Sequence, residues 1–163
     1  EKVLNVEEAL TILDKELNTY NTGNIDINDL LLSPVSNYQC LLIGEAKVSA
    51  RGFELSYDNK NKDYAVRIFT PSSREDWLLA LEYIKALAKK FGSEIINERG
   101  EVYTVDNIDK FDYENDYGEL CKNEIYEFNN RDRTLKSRFK VSTPSDVVDV
   151  LFGVMHNLLK DGE

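Results

Sequence analysis

Little in this chain is equipped for metal, glycine-loop or membrane chemistry. Just 2 cysteines, Cys40 and Cys121, occur among 163 residues, too few for a disulfide scaffold or a Cys-rich zinc site. The lone histidine, His156, cannot complete a ligand set with them. Glycines Gly44, Gly52, Gly92 and Gly100 stand singly, so neither G-x-G-x-x-G nor G-x-x-x-x-G-K-[ST] is formed and a phosphate-cradling glycine loop is excluded. There is no G-x-S-x-G elbow. No apolar run approaches the ~20 residues that span a bilayer, and no signal peptide or lipidation motif is visible. The only methionine is Met155. The chain therefore opens without an initiator, and a signal would have been lost with any residues trimmed ahead of Glu1.

What is present is a globular composition. With 42% apolar and 31% charged residues, a chain of this size buries roughly two-thirds of its unfolded surface, which excludes global disorder. Thirty acidic residues against 20 basic ones leave a net charge of −10. That field repels phosphate backbones and anionic lipid, disfavouring nucleic-acid and membrane partners, and it favours cationic ones.

The hydrophobic pattern predicts an α+β fold in a single domain over 1–163, with residues 1–37 as a helical segment packed on it. Val6, Ala9, Leu10, Leu13 and Leu17 lie at helical spacing behind Asn5, and Glu8 supplies the second half of a capping box. An opening helix over residues 3–17 is expected. A turn through residues 18–24 and a short helix near Asp26 to Leu32 follow, ahead of Pro34. After the apolar run Gln39 to Ile43, Phe53, Leu55 and Tyr57 alternate with Glu54 and Ser56; beyond the turn formers Asp58 to Lys62, Tyr64, Val66 and Ile68 alternate again. That is a β-hairpin. Arg74 to Phe91 carries the stripe Trp77, Leu81, Ile84, Ala88, Phe91 and ends at Gly92, the mark of a long amphipathic helix. A second hairpin is expected over residues 94–104, a third over 125–141, and a closing helix over Asp146 to Leu159, so that two long helices cover one face of the sheet. A parallel crossover between Tyr64 to Phe69 and Glu94 to Asn97 is the alternative topology.

Thr70-Pro71-Ser72 and Thr143-Pro144-Ser145 both stand between a strand and a helix. Threonine as cap and proline at the first helical position would account for each, and the repeat raises duplication of a ββα unit. The stretches Ala50-Arg51-Gly52-Phe53-Glu54-Leu55-Ser56-Tyr57, Arg67-Ile68-Phe69-Thr70-Pro71-Ser72-Ser73-Arg74-Glu75-Asp76-Trp77 and Glu98-Arg99-Gly100-Glu101-Val102-Tyr103-Thr104 resemble a bacterial family, the domain of unknown function 4299. The resemblance implies a bacterial, cytoplasmic protein. It brings no activity, cofactor or site residues with it.

The segment Asp106 to Glu119 holds six acids with Lys110 as its only base, interleaved with Phe111, Tyr113 and Tyr117. Rings ringed by carboxylates suit a surface that docks a basic protein or peptide, because the rings anchor and the acids steer. Asp112, Tyr113, Glu114, Asp116 and Tyr117 are the candidate binding residues. The plainer reading is a solvated acidic loop whose rings point into the core. Asp112 to Gly118 also imitates the start of a calcium loop, but glycine comes one position late. No metal or cofactor is implied. The competing reading is a small-molecule hydrolase or transferase using carboxylates, or Cys40 or Cys121 with His156. Lys136, Arg138 and Lys140 read as the solvent side of a charge-protected edge strand.

Overall fold

The computed structural model describes residues 3–69 and 72–113, and the backbone of the strand at 136–142. In chain order the elements are α1 (Val6–Leu10), β1 (Leu17–Thr19), α2 (Ile27–Leu32), β2 (Leu41–Glu45), β3 (Phe53–Asp58), β4 (Asp63–Phe69), α3 (Arg74–Phe91), β5 (Ile95–Asn97), β6 (Val102–Tyr103) and β7 (Lys136–Ser142). The strands form one seven-stranded sheet in the order β1-β2-β3-β4-β7-β5-β6, and every neighbouring pair is antiparallel.

The β3–β4 hairpin follows the sequence pattern, with Phe53 opposite Ile68, Leu55 opposite Val66 and Tyr57 opposite Tyr64. Its turn is held by Asp58, whose carboxylate accepts from the Lys60 and Asn61 amides. The second hairpin, β5–β6, also forms as expected. α3 runs over the expected residues and ends at Gly92 in the left-handed region. It buries a broader face than the stripe alone, adding Leu79, Ala80, Tyr83 and Leu87. Against it lie Leu41, Ile43, Phe53, Leu55, Tyr64, Val66 and Ile68 from β2, β3 and β4, each large aliphatic contributing ~1.5–3 kcal/mol by leaving water.

β4 and β5 are both antiparallel to β7, which lies between them. They therefore run parallel to each other, and α3 joins them in a split β-α-β unit. The expected antiparallel pairing therefore holds throughout the described sheet, and the parallel relation of β4 and β5 arises across an intervening strand without direct pairing.

Three expectations need correction, and the second long helix falls outside the described residues. α3 is the one helix of seven or more residues among those described; Asp146 to Leu159, the first arm of the third hairpin and the Thr143-Pro144-Ser145 junction lie outside the described residues. The opening helix stops at Leu10, although Asn5 and Glu8 do form the capping box. The Ala9 carbonyl is taken by the Tyr83 hydroxyl at 2.7 Å, Thr11 caps the turn, and Leu17 must be extended to pair with Glu45. α3 starts at Arg74 with Ser73 as its cap, its hydroxyl accepting from the Asp76 amide. The cap is thus Ser73 in place of the expected Thr70, and the first helical residue is Arg74 in place of the expected Pro71; the Ser72 hydroxyl donates to the Phe69 carbonyl at 2.6 Å, and Thr70 and Pro71 lie outside the described residues. Finally β7 is no edge strand, since β4 and β5 flank it on either side.

Gly52 has φ +67, and a Cβ there would stand 2.1 Å from the Ile43 carbonyl oxygen. Gly23 has nearly the same φ, +65, with nothing within 4 Å. Gly52→Ala should cost at least about 3 kcal/mol, from backbone strain plus forced separation of β2 and β3, while Gly23→Ala should cost about 1–2 kcal/mol of strain alone. Urea denaturation of the two variants measures the difference, and equal losses would refute the close approach.

Two buried hydroxyls tie the N-terminal segment down. Leu4 donates its amide to the Tyr64 hydroxyl at 2.9 Å, and Tyr83 donates to Ala9. Burial pushes Tyr64 from 10 up to about 12, the Leu4 bond opposing the shift, and burial also pushes Tyr83 up. A raised folded pKa means that the neutral form is favoured by folding, so the stability it carries is complete below pH 10 and is lost as pH rises towards 12. The urea midpoint should fall through that window, and Tyr64→Phe together with Tyr83→Phe should flatten the fall.

Candidate functional site

Three features of α3 and its surroundings bring chemistry-bearing groups together. The first is internal. Asp76, in the first turn of α3, is 0% exposed, and its Oδ2 accepts the amides of Arg51 at 2.8 Å and Ala50 at 3.2 Å. The neighbouring guanidiniums lie over one ring, Arg51 at 4.4 Å and Arg67 at 5.5 Å from the Phe69 centroid. Arg67 bridges to Glu54 at 3.1 Å. Burial pushes Arg51 below its ordinary value; Asp76 counters that and Arg67 adds to it. Each charge here has an opposite one at hand, the condition for a half-buried ionic network to persist.

The second feature holds the acidic–aromatic segment. One turn of 3₁₀ helix at Ile108–Lys110 follows a turn in which the Asn107 side chain accepts from the Thr104 amide at 2.7 Å. It buries Ile108 and Phe111 and leaves Asp106, Asp109 and Asp112 exposed. Tyr113 is half-buried, its ring stacked on Trp77 at 5.3 Å and 11°. Phe111 stacks on Trp77 from 6.3 Å and meets Tyr103 edge-on at 5.9 Å. The result is an aromatic centre fixed by the core, with carboxylates at its rim. Asp109 reaches Lys85 of α3 at 2.6 Å. Of the candidate binding residues, Asp112 and Tyr113 are placed on this surface, and Glu114, Asp116 and Tyr117 lie outside the described residues.

The third feature is Cys40, half-buried, its backbone carbonyl accepting from Asn21 at 3.0 Å. Burial pushes its thiol up, Glu54 adds to the rise and Arg67 opposes it; a raised thiol holds little thiolate at neutral pH. Cys121 and His156 lie outside the described residues. Among the described residues no group of three or more His, Cys, Asp or Glu side chains could hold a metal ion, and no helix is long and apolar enough to cross a membrane.

The sequence reading missed Asp76 and the Trp77–Tyr113 stack. A polar residue three after a Ser at a helix start, next to tryptophan, was the available signal for the first. Nothing local signals the second, since 36 positions separate the rings.

The fold and these clusters define an α+β protein with a split β-α-β unit, a polar network beneath the start of its long helix and an acidic–aromatic surface beside it. The chain belongs to the Domain of unknown function (DUF4299) family, whose pattern it matches over residues 1–155. No curated protein matches it, and no solved structure does.

Trp77 is the sole tryptophan and 4% exposed, so native fluorescence should be blue-shifted and weakly quenched by iodide. Tyr113→Ala should move the emission to the red, raise quenching and cost about 1–2 kcal/mol, the stack itself contributing ~0.5–1.5 kcal/mol beyond burial. Emission unchanged in that variant would show that Tyr113 does not cover the indole.

Proposed function

We propose that this protein is a non-enzymatic interaction module of the bacterial cytoplasm whose acidic–aromatic surface binds a basic protein or peptide. The observation that carries the reading is the placement of Tyr113 on Trp77 with Asp106, Asp109 and Asp112 exposed around it. Desolvated rings at a centre and polar groups at a rim are the anatomy of a protein-binding surface. The net charge of −10 would draw a cationic partner in and keep acidic ones away. Asp109 already pairs with Lys85, a cation that an incoming lysine or arginine could displace at small cost, because exposed ion pairs contribute only ~0–1 kcal/mol.

The test uses a synthetic arginine- and lysine-rich peptide containing one tyrosine, followed by surface plasmon resonance. Raising salt from about 50 to 300 mM should lower the on-rate far more than it raises the off-rate. Asp112→Asn with Glu114→Gln and Asp116→Asn should abolish capture with the melting temperature nearly unchanged. Binding undiminished in that triple variant would sink the proposal. A calcium-dependent rise in the parent's melting temperature, lost in the variant, would replace it with a metal site.

A further inference from the structure

Beyond that surface, α2 carries apolar side chains that no described residue covers. Leu30 points into the core and Leu31 packs against it, while Ile27 and Leu32 stand exposed on either side of Asn28 along the outer arc of the helix. Ile27 is 59% exposed and Leu32 72%, with Ile25 also exposed just before the helix. Three of the chain's exposed large apolar side chains thus fall within eight residues. Exposed apolar groups gathered in this way mark an interaction surface; scattered ones do not. Local structure holds α2 in place: Asp26 caps it by accepting from the Asn28 and Asp29 amides, and the residues after it are tied to the N-terminal segment by Val6 donating to Ser33 and Val35 donating to Leu4, both at 2.9 Å.

Along the chain on both sides of α2 the charge is of one sign. Between Lys15 and Lys47 there is no lysine, arginine or histidine, and the acids are Glu16, Asp26, Asp29 and Glu45. Asp26 and Asp29 are exposed next to the apolar side chains. A second copy of this chain would bring the same carboxylates, and another net −10, against themselves. Anionic lipid would be repelled in the same way. We infer that α2 is a second docking surface, distinct from the Trp77–Tyr113 surface, and that it takes an amphipathic helix of a partner whose apolar face is flanked by lysine or arginine. The partner's aliphatic side chains pack on Ile27 and Leu32, and its cations meet Asp26 and Asp29, the arrangement of helix recognition by apolar anchors.

The probe is a fluorescein-labelled 18-residue peptide of leucines at helical spacing among lysines, compared by anisotropy with a scrambled peptide of identical composition. The ordered peptide should bind at least about tenfold more tightly than the scrambled one, since only it presents a face. Ile27→Ser with Leu32→Ser should remove that difference. Asp26→Asn with Asp29→Asn, which keeps a capping side chain, should weaken binding and reduce its salt dependence. Tyr113→Ala should leave it unchanged, which separates this surface from the one proposed above. Equal binding of both peptides, or binding retained by the Ile27 and Leu32 variant, would overturn the inference. So would sedimentation showing a parent dimer that the same variant dissolves, since the face would then be covered by a second copy.

Discussion

A carboxylate shut away from water holds the start of the long helix to the sheet. Asp76 accepts two amides from the segment between β2 and β3, so the first turn of α3 is bonded to the loop that launches the next strand. Burying a charged carboxylate is costly unless it is hydrogen-bonded and compensated. Compensation comes from three directions: the two amides, the positive end of an 18-residue helix, and the Arg51 guanidinium. That same loop ends at Gly52, where the backbone passes so close to Ile43 that no Cβ fits. The clasp and the glycine act together, one pulling the loop onto α3 and the other letting it lie against β2.

From this junction the other contacts can be followed outward. Trp77 is the next residue after Asp76, so fixing the carboxylate also fixes the indole, and Phe111 and Tyr113 are ordered on it. Further along the helix the Tyr83 ring meets Phe53 at a tilt, 4.8 Å away, and its hydroxyl donates to Ala9, while Tyr64 in the sheet accepts from Leu4. The N-terminal segment is therefore attached through hydroxyl groups at two depths of the core. α2 is held through that segment, which is why a six-residue helix with an exposed aliphatic arc keeps a defined position although too short to be stable alone.

What could be read from the residues and what could not divide along the range of the interactions. The β3–β4 and β5–β6 hairpins and α3 with its Gly92 terminus were legible because alternation, turn residues and helical periodicity act within a few positions. The capping box of Asn5 and Glu8 was equally local, but the length of its helix was not: Leu17 continues the apolar spacing and yet lies in a strand, because pairing with Glu45 wins over a marginal helix. β7 gave a sound strand pattern and a wrong position, since the sheet order depends on pairing with β4 and β5 between residues more than forty positions apart. For the site, the acids and rings were visible in the sequence. That Tyr113 would stack on Trp77 depends on the fold.

The carboxylates sort into two groups by what accepting a bond does for the fold. Asp58, Asp76, Asp26 and Glu8 each accept from backbone amides, so their replacement by an apolar residue leaves donors unmatched and costs ~1–3 kcal/mol where the site is buried. Asp106, Asp109 and Asp112 are exposed, and the pair Asp109–Lys85 joins side chains that are 59% and 41% exposed. Charges in that position stabilise little, being hydrated and screened, yet they repel one another and lower stability slightly as a set. Their clustering around an aromatic centre adds little to stability, and it is on this surface charge that the proposed reading of a cationic partner rests.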